Sequence, residues 1–115
     1  MEIKVEDRNG VVVVGPIGRV DTNTAPEFED IVRKQLESGV TRLVLDMAGV
    51  EYTSSAGLRV ILWAAKKLKS GGKLTLCALT PGVEQVFDLA GFLDILDVKG
   101  TLDEALAALG PGGAG

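Results

Sequence analysis

Apolar and polar positions alternate in blocks along the chain, and the period of each block names an element. Ile3–Arg8 alternates as a half-buried strand does, and Asn9-Gly10 follows as a two-residue hairpin turn, since both residues tolerate positive φ. Val11–Val14 is an unbroken β-branched run, the pattern of a buried strand, which Gly15-Pro16 is expected to end or bulge. Phe28, Ile31, Val32 and Leu36 recur at helical spacing behind Thr24-Ala-Pro-Glu27, which has the form of a capping box, and Ser38-Gly39 closes that helix. Leu43–Leu45 reads as a short strand. Val50–Leu58 then joins it to a helix from Ser55 to about Ser70, whose stripe is Leu58, Ile61, Leu62, Ala65 and Leu68. Gly71-Gly72 stops this helix before a strand at Leu74–Cys77.

Val83, Val86, Phe87 and Ala90 mark a third helix, with Gly91 as a left-handed cap and Phe92 folding back onto Phe87. Ile95–Val98 reads as the last strand, and Leu102, Ala105, Leu106 and Leu109 as a terminal amphipathic helix. The order is β-β-α-β-α-β-α-β-α. This alternation predicts a single α/β domain over residues 1–109, with a mostly parallel mixed sheet, an N-terminal antiparallel hairpin and packed helices. The Gly-rich residues 110–115 carry too little apolar content to pack and are expected to form a flexible tail.

Composition narrows the chemistry. The 115 residues include no histidine, so the commonest general base and metal ligand is absent. The lone Cys77, within an apolar strand, is expected to be a buried structural thiol; one cysteine also fits a reducing cytoplasm. A net charge of −4 argues against nucleic acid as a partner, and no apolar run is long enough for membrane insertion. Gly110–Gly115 spells G-x-G-x-x-G, but it follows a helix instead of opening one, so nothing there receives a phosphate. No cofactor or metal and no enzymatic activity is expected.

The informative segment is Val50–Leu58, beyond the end of a parallel strand, where α/β folds place their sites. Ser54 and Ser55 stand at the start of the long helix. One can serve as its N-cap, and a phosphate on either would meet free helix N–H groups and the positive end of the dipole. Asp21 and Asp46 lie near strand ends, as turn or cap residues; if both faced Ser55, they could orient a hydroxyl or hold a magnesium ion. A second stripe on the helix, Val60, Trp63, Ala64 and Lys67, is either buried by the domain or, with Trp63 exposed, an interface anchor.

Gly18-Arg-Val-Asp21, Leu43-Val-Leu-Asp46, Tyr52-Thr-Ser-Ser-Ala-Gly-Leu58 and Val86-Phe-Asp-Leu-Ala-Gly-Phe92 occur in that order. Together they resemble the STAS domain of bacterial anti-sigma-factor antagonists, over Ile3 to Leu109. The resemblance implies phosphorylation at Ser55, with Ser54 as second choice, in a neighbourhood of Asp21, Asp46, Thr53, Ser54 and Gly57. Many members of the family have Asp where this chain has Ser54. The resemblance further implies that the unmodified protein binds an anti-sigma factor, often itself a serine kinase, and that a serine phosphatase resets the switch. Thr22, Asn23, Arg59, Val60 and Trp63 are the expected partner-facing positions. The alternative is a phosphorylation-independent STAS scaffold in a transport or signalling complex.

Overall fold

The computed structural model describes residues 1–110; the tail expected at 110–115 lies, beyond Gly110, outside the described residues. The elements are β1 (Glu2–Arg8), β2 (Val11–Val20), α1 (Ala25–Glu37), β3 (Arg42–Asp46), β4 (Val50–Thr53), α2 (Ser55–Leu68), β5 (Lys73–Cys77), α3 (Pro81–Leu89), β6 (Asp97–Lys99) and α4 (Leu102–Leu109). They build one six-stranded sheet in the order β1-β2-β3-β5-β6, with β4 on the far end of β2. β1 and β2 form the antiparallel hairpin; every other pairing is parallel. The turn between them uses positive φ at both Asn9 and Gly10, as the dipeptide predicts.

Strand alternation divides the core. Val12, Val14, Leu43 and Leu45 face the layer of α1, α2 and α3, where Phe28 and Phe87 are fully buried. Val11, Val13, Val44 and Cys77 face the other way and are covered by Ala105 and Leu109 of α4. Both faces of the central strands are therefore buried, which is why Val11–Val14 is apolar without interruption.

Several expectations need correction. Gly15-Pro16 does not end the second strand. β2 runs on to Val20, pairing with β3 at Val12–Val14 and with β4 at Gly18–Val20, and the register shift falls between Gly18 and Arg19. Pro16 sits in the interval between those two partners, where its missing N–H removes no parallel ladder bond. The segment leading to α2 contains a strand, β4, that its four residues were too few to announce. The last strand begins at Asp97, because a 3-10 turn at Phe92–Asp94 consumes the preceding residues and leaves Ile95 exposed. Gly91 does adopt the left-handed conformation, and the Phe92 ring meets Phe87 edge-on with centroids 5.9 Å apart. The capping box of α1 does not form: the Thr24 hydroxyl donates to the Arg19 carbonyl, and Glu27 pairs with the terminal ammonium. No helix among the described residues is long and apolar enough to cross a membrane.

Candidate functional site

The ends of β2 and β4 lie side by side. Val20 pairs with Thr53, and the Ser54 N–H donates to the Val20 carbonyl at 2.8 Å. The turns leaving these strands therefore emerge together, one into α1 and one into α2. In the first turn Asp21 replaces the expected capping box. Its Oδ1 accepts from the N–H groups of Asn23 (3.0 Å) and Thr24 (3.2 Å), while the Asp21 N–H donates to Thr24 Oγ1 at 2.9 Å. This ring of bonds fixes the turn and leaves Thr22 and Asn23 exposed at its tip.

In the second turn the two serines separate in role. Ser54 has extended backbone and is the N-cap; its Oγ accepts from the Ala56 N–H at 3.2 Å. Ser55 is the first helical residue. It is exposed, and its hydroxyl has no protein partner among the described residues. The first turn of α2 contains no acidic residue, whereas α1 has Glu27, α3 has Glu84 and α4 has Asp103 and Glu104 in that position. The positive end of the α2 dipole is thus left without an internal counter-charge.

Gly57 lets this turn seat directly on the strand ends. A Cβ there would collide with Thr53 Oγ1 and lie 2.7 Å from Val20 Cγ1. Thr53 itself is buried, its hydroxyl donating to the Ser54 carbonyl at 3.2 Å, so it supports the turn from beneath. Arg59 is exposed one helical turn beyond Ser55 on the same side of α2.

Three of the expected residues belong elsewhere. Asp46 shares its sheet face with Val44, away from α2, and lines a cavity with Lys4, Glu6 and Leu102. Period-two alternation in β3 dictates that placement, so Asp21 and Asp46 do not converge on Ser55. Asp46 instead accepts from the Ala48 N–H at 3.1 Å and sits against Cys77. Burial, reinforced by that carboxylate, pushes the Cys77 thiol up to about 12, in keeping with a structural thiol. Val60 is only 4% exposed and packs in the core, as does Ala64, because α2 is covered by the sheet on one side and α1 on the other; Val60 has no side chain to offer a partner. Trp63 is half-buried. It lines a cleft of about 500 Å³ with Leu36, Val40 and Lys67, two helical turns from Ser55. That cleft lies at the opposite end of α2 from the serines.

The structure adds a pair of residues that the hydropathy pattern does not reveal. Arg19 and Tyr52 are register partners on β2 and β4, with the guanidinium carbon 4.4 Å from the ring centroid. Tyr52 is 40% exposed and Arg19 more so, which gives the site an amphipathic shelf beside the two turns. Tyr52 is set by pairing rather than by hydropathy: β4 is too short to show a period, and its register with β2 places Tyr52 across from Arg19.

The family model described as the STAS domain matches residues 2–105. The chain belongs to the STAS domain family. BtrV of Bordetella bronchiseptica, which carries an anti-sigma factor antagonist name, is 38% identical over 109 residues, covering 94% of each chain. The anti-sigma-F factor antagonist RsfB of Mycobacterium tuberculosis is 27% identical over 107 residues, covering 93% of this chain and 88% of its own. Among solved structures, an anti-sigma factor antagonist from Mycobacterium paratuberculosis superimposes with a TM-score of 0.89 at 30% identity, over 94% of this chain and 92% of its own. In this STAS domain the serine turn and the Asp21 turn form one continuous surface at the carboxyl ends of parallel strands, the position at which open α/β sheets hold ligands and partners.

Proposed function

We propose that this STAS domain is an anti-sigma-factor antagonist switched by phosphorylation of Ser55. The observation that carries the reading is the division of labour between the two serines. Ser54 is committed to capping α2, while Ser55 presents a free, exposed hydroxyl at a helix start with no acid in its first turn. An incoming phosphate gains from the helix dipole there, and Arg59 stands one turn away. The names of the relatives supply the partner class, an anti-sigma factor.

The unmodified surface joins Thr22, Asn23, Ser55, Arg59, Tyr52 and Arg19, a mix of small polar groups with one aromatic–guanidinium pair of the kind enriched at interface hot spots. A phosphoserine adds about −1.5 to −2 charges at its centre. The net charge of −4 then becomes about −5.5 to −6, but the local change is what a partner meets. A dianion desolvates poorly against a partner and repels its acidic groups, so binding is lost. A kinase, which the anti-sigma factor itself can supply, and a serine phosphatase complete the cycle. The chain acts as substrate and ligand, in the cytoplasm.

The test is affinity capture with the unphosphorylated full chain, identification of the retained partner by mass spectrometry, and titration of that partner with variants. Ser55→Ala is expected to keep wild-type affinity and accept no phosphate. Ser55→Asp is expected to weaken binding roughly tenfold or more, since unfavourable charge in an interface costs several kcal/mol. Phosphorylation of Ser55→Ala at the wild-type rate would overturn the site assignment.

A further inference from the structure

Among the described residues, the longest unpaired strand edge is the free side of β1. This strand ends the sheet, has seven residues and, among the described residues, pairs only with β2; the other end of the sheet, β6, has three. Exposed edges template further pairing, and proteins usually blunt them with charge. Here the charges alternate in sign. Glu2, Lys4, Glu6 and Arg8 share one face of the strand, with Lys4 and Glu6 over the cavity beside α4 and Arg8 Nε 2.6 Å from Glu6 Oε1. Glu2 and Lys4 have no ion-pair partner among the described residues. On the other face Val5 is 45% exposed at the centre of the strand.

We propose that β1 is a self-complementary edge that pairs antiparallel with β1 of a second copy of this chain, about a two-fold axis through Val5. In that register Glu2 stands opposite Arg8, Lys4 opposite Glu6, and Val5 opposite Val5, each charged pairing occurring twice. An opposite-charge pair directly across two strands is favourable and a like-charge pair unfavourable. The neighbouring registers are disfavoured by the same charges. Centring on Lys4 sets Glu2 against Glu6 and Lys4 against itself; centring on Glu6 sets Lys4 against Arg8 and Glu6 against itself. The alternation thus selects one register while closing the two beside it. The product is an isologous dimer in which two six-stranded sheets run on as one. A seven-residue edge buries little area, so the dimer is weak and concentration-dependent.

Sedimentation equilibrium of the full chain, over about 10 µM to 1 mM, reads this directly and is independent of the state of Ser55. The wild-type chain is expected to dimerise reversibly, less so as salt screens the pairs. Lys4→Glu turns each Lys4–Glu6 pairing across the interface into two facing carboxylates, and Glu6→Lys turns it into two facing ammonium groups. Each substitution is expected to weaken self-association roughly tenfold or more. An equimolar mixture of the two variants is expected to form heterodimers, and the double variant K4E/E6K to regain wild-type dimerisation. Both positions are exposed, so the fold tolerates these changes, and a cooperative melting curve for each variant verifies it. A wild-type chain that stays monomeric up to about 1 mM overturns the proposal. So does a Lys4→Glu chain that dimerises like wild type, or a mixture that fails to associate.

Discussion

Ser54 and Ser55 are adjacent and chemically identical, yet the backbone assigns them different energies. Ser54 leaves the strand in an extended conformation, so its side chain can reach back to the Ala56 N–H. Ser55 is already helical, and its hydroxyl points where no protein group receives it. Removing the first hydroxyl costs a cap, about 1 kcal/mol. Removing the second costs nothing comparable, because Ala is the better helix former. Denaturant unfolding of Ser54→Ala is therefore expected to show a lower midpoint with an unchanged slope, and Ser55→Ala a midpoint equal to or above wild type. Equal losses for both variants would show that the cap is shared. The pair could be placed at a helix start from sequence, but which hydroxyl is engaged depends on one backbone ψ angle, and no spacing rule encodes that. Asp21 illustrates the same point. Thr24 and Glu27 have the letters of a capping box, but Asp21 sits three residues upstream on a turn pinned by β2 and captures the Asn23 and Thr24 N–H groups.

Most elements were legible in the chain; β4 was not, and β6 was read two residues too early. α2 carries a stripe over fourteen residues, and every central strand is a β-branched or leucine run. β4 and β6 have four and three residues, too few for a period to rise above chance, and both are held by pairing with distant strands. β6 also draws on charge. Asp97 Oδ2 accepts from the Thr75 hydroxyl at 2.9 Å, and the carboxylate meets Lys73 at 3.5 Å and Lys99 at 3.3 Å. Burial alone would push the Asp97 carboxyl up, but Thr75, Lys99 and Lys73 together outweigh it and hold it below the usual range. A depressed folded-state value means the carboxylate stabilises the fold above its unfolded pKa, near about 3.9, and loses that contribution as the pH falls through the folded value. Asp97→Asn is therefore expected to lower stability by about 0.5–1 kcal/mol at neutral pH, the worth of partly exposed pairs. The difference should stay constant from about pH 7 to 5 and close below about pH 4. Thermal melts across that range measure it, and a gap that persists unchanged at about pH 3 would assign the effect to something other than charge.

At the scale of the whole molecule the two faces of the sheet are unequal. Three helices cover one, and among the described residues α4 alone covers the other, over Val11, Val13, Val44 and Cys77. An eight-residue helix is not stable by itself; α4 persists through its Thr101 cap, which accepts from the Glu104 N–H at 3.1 Å, and through Ala105 and Leu109 in the core. The serine and Asp21 turns draw their support from the opposite layer, through Gly57, Thr53 and Val20. On this division α4 is expected to loosen while the serine and Asp21 turns stay formed. Leu109→Ala should cost about 2–4 kcal/mol, and because α4 has few other anchors much of that cost should appear as local opening. Cys77 reports on it, being fully buried beneath α4 with a thiol pushed up to about 12. In the native wild-type chain it should resist a thiol reagent at about pH 8 for as long as the fold holds. In Leu109→Ala it should react faster than the change in global unfolding accounts for, while affinity for the proposed anti-sigma partner stays at the wild-type value. Labelling that tracks global unfolding alone would mean that α4 and the three-helix layer melt as one unit. In that case the serine turn would depend on both faces of the sheet, and Leu109→Ala would weaken the partner interaction as it exposed the thiol.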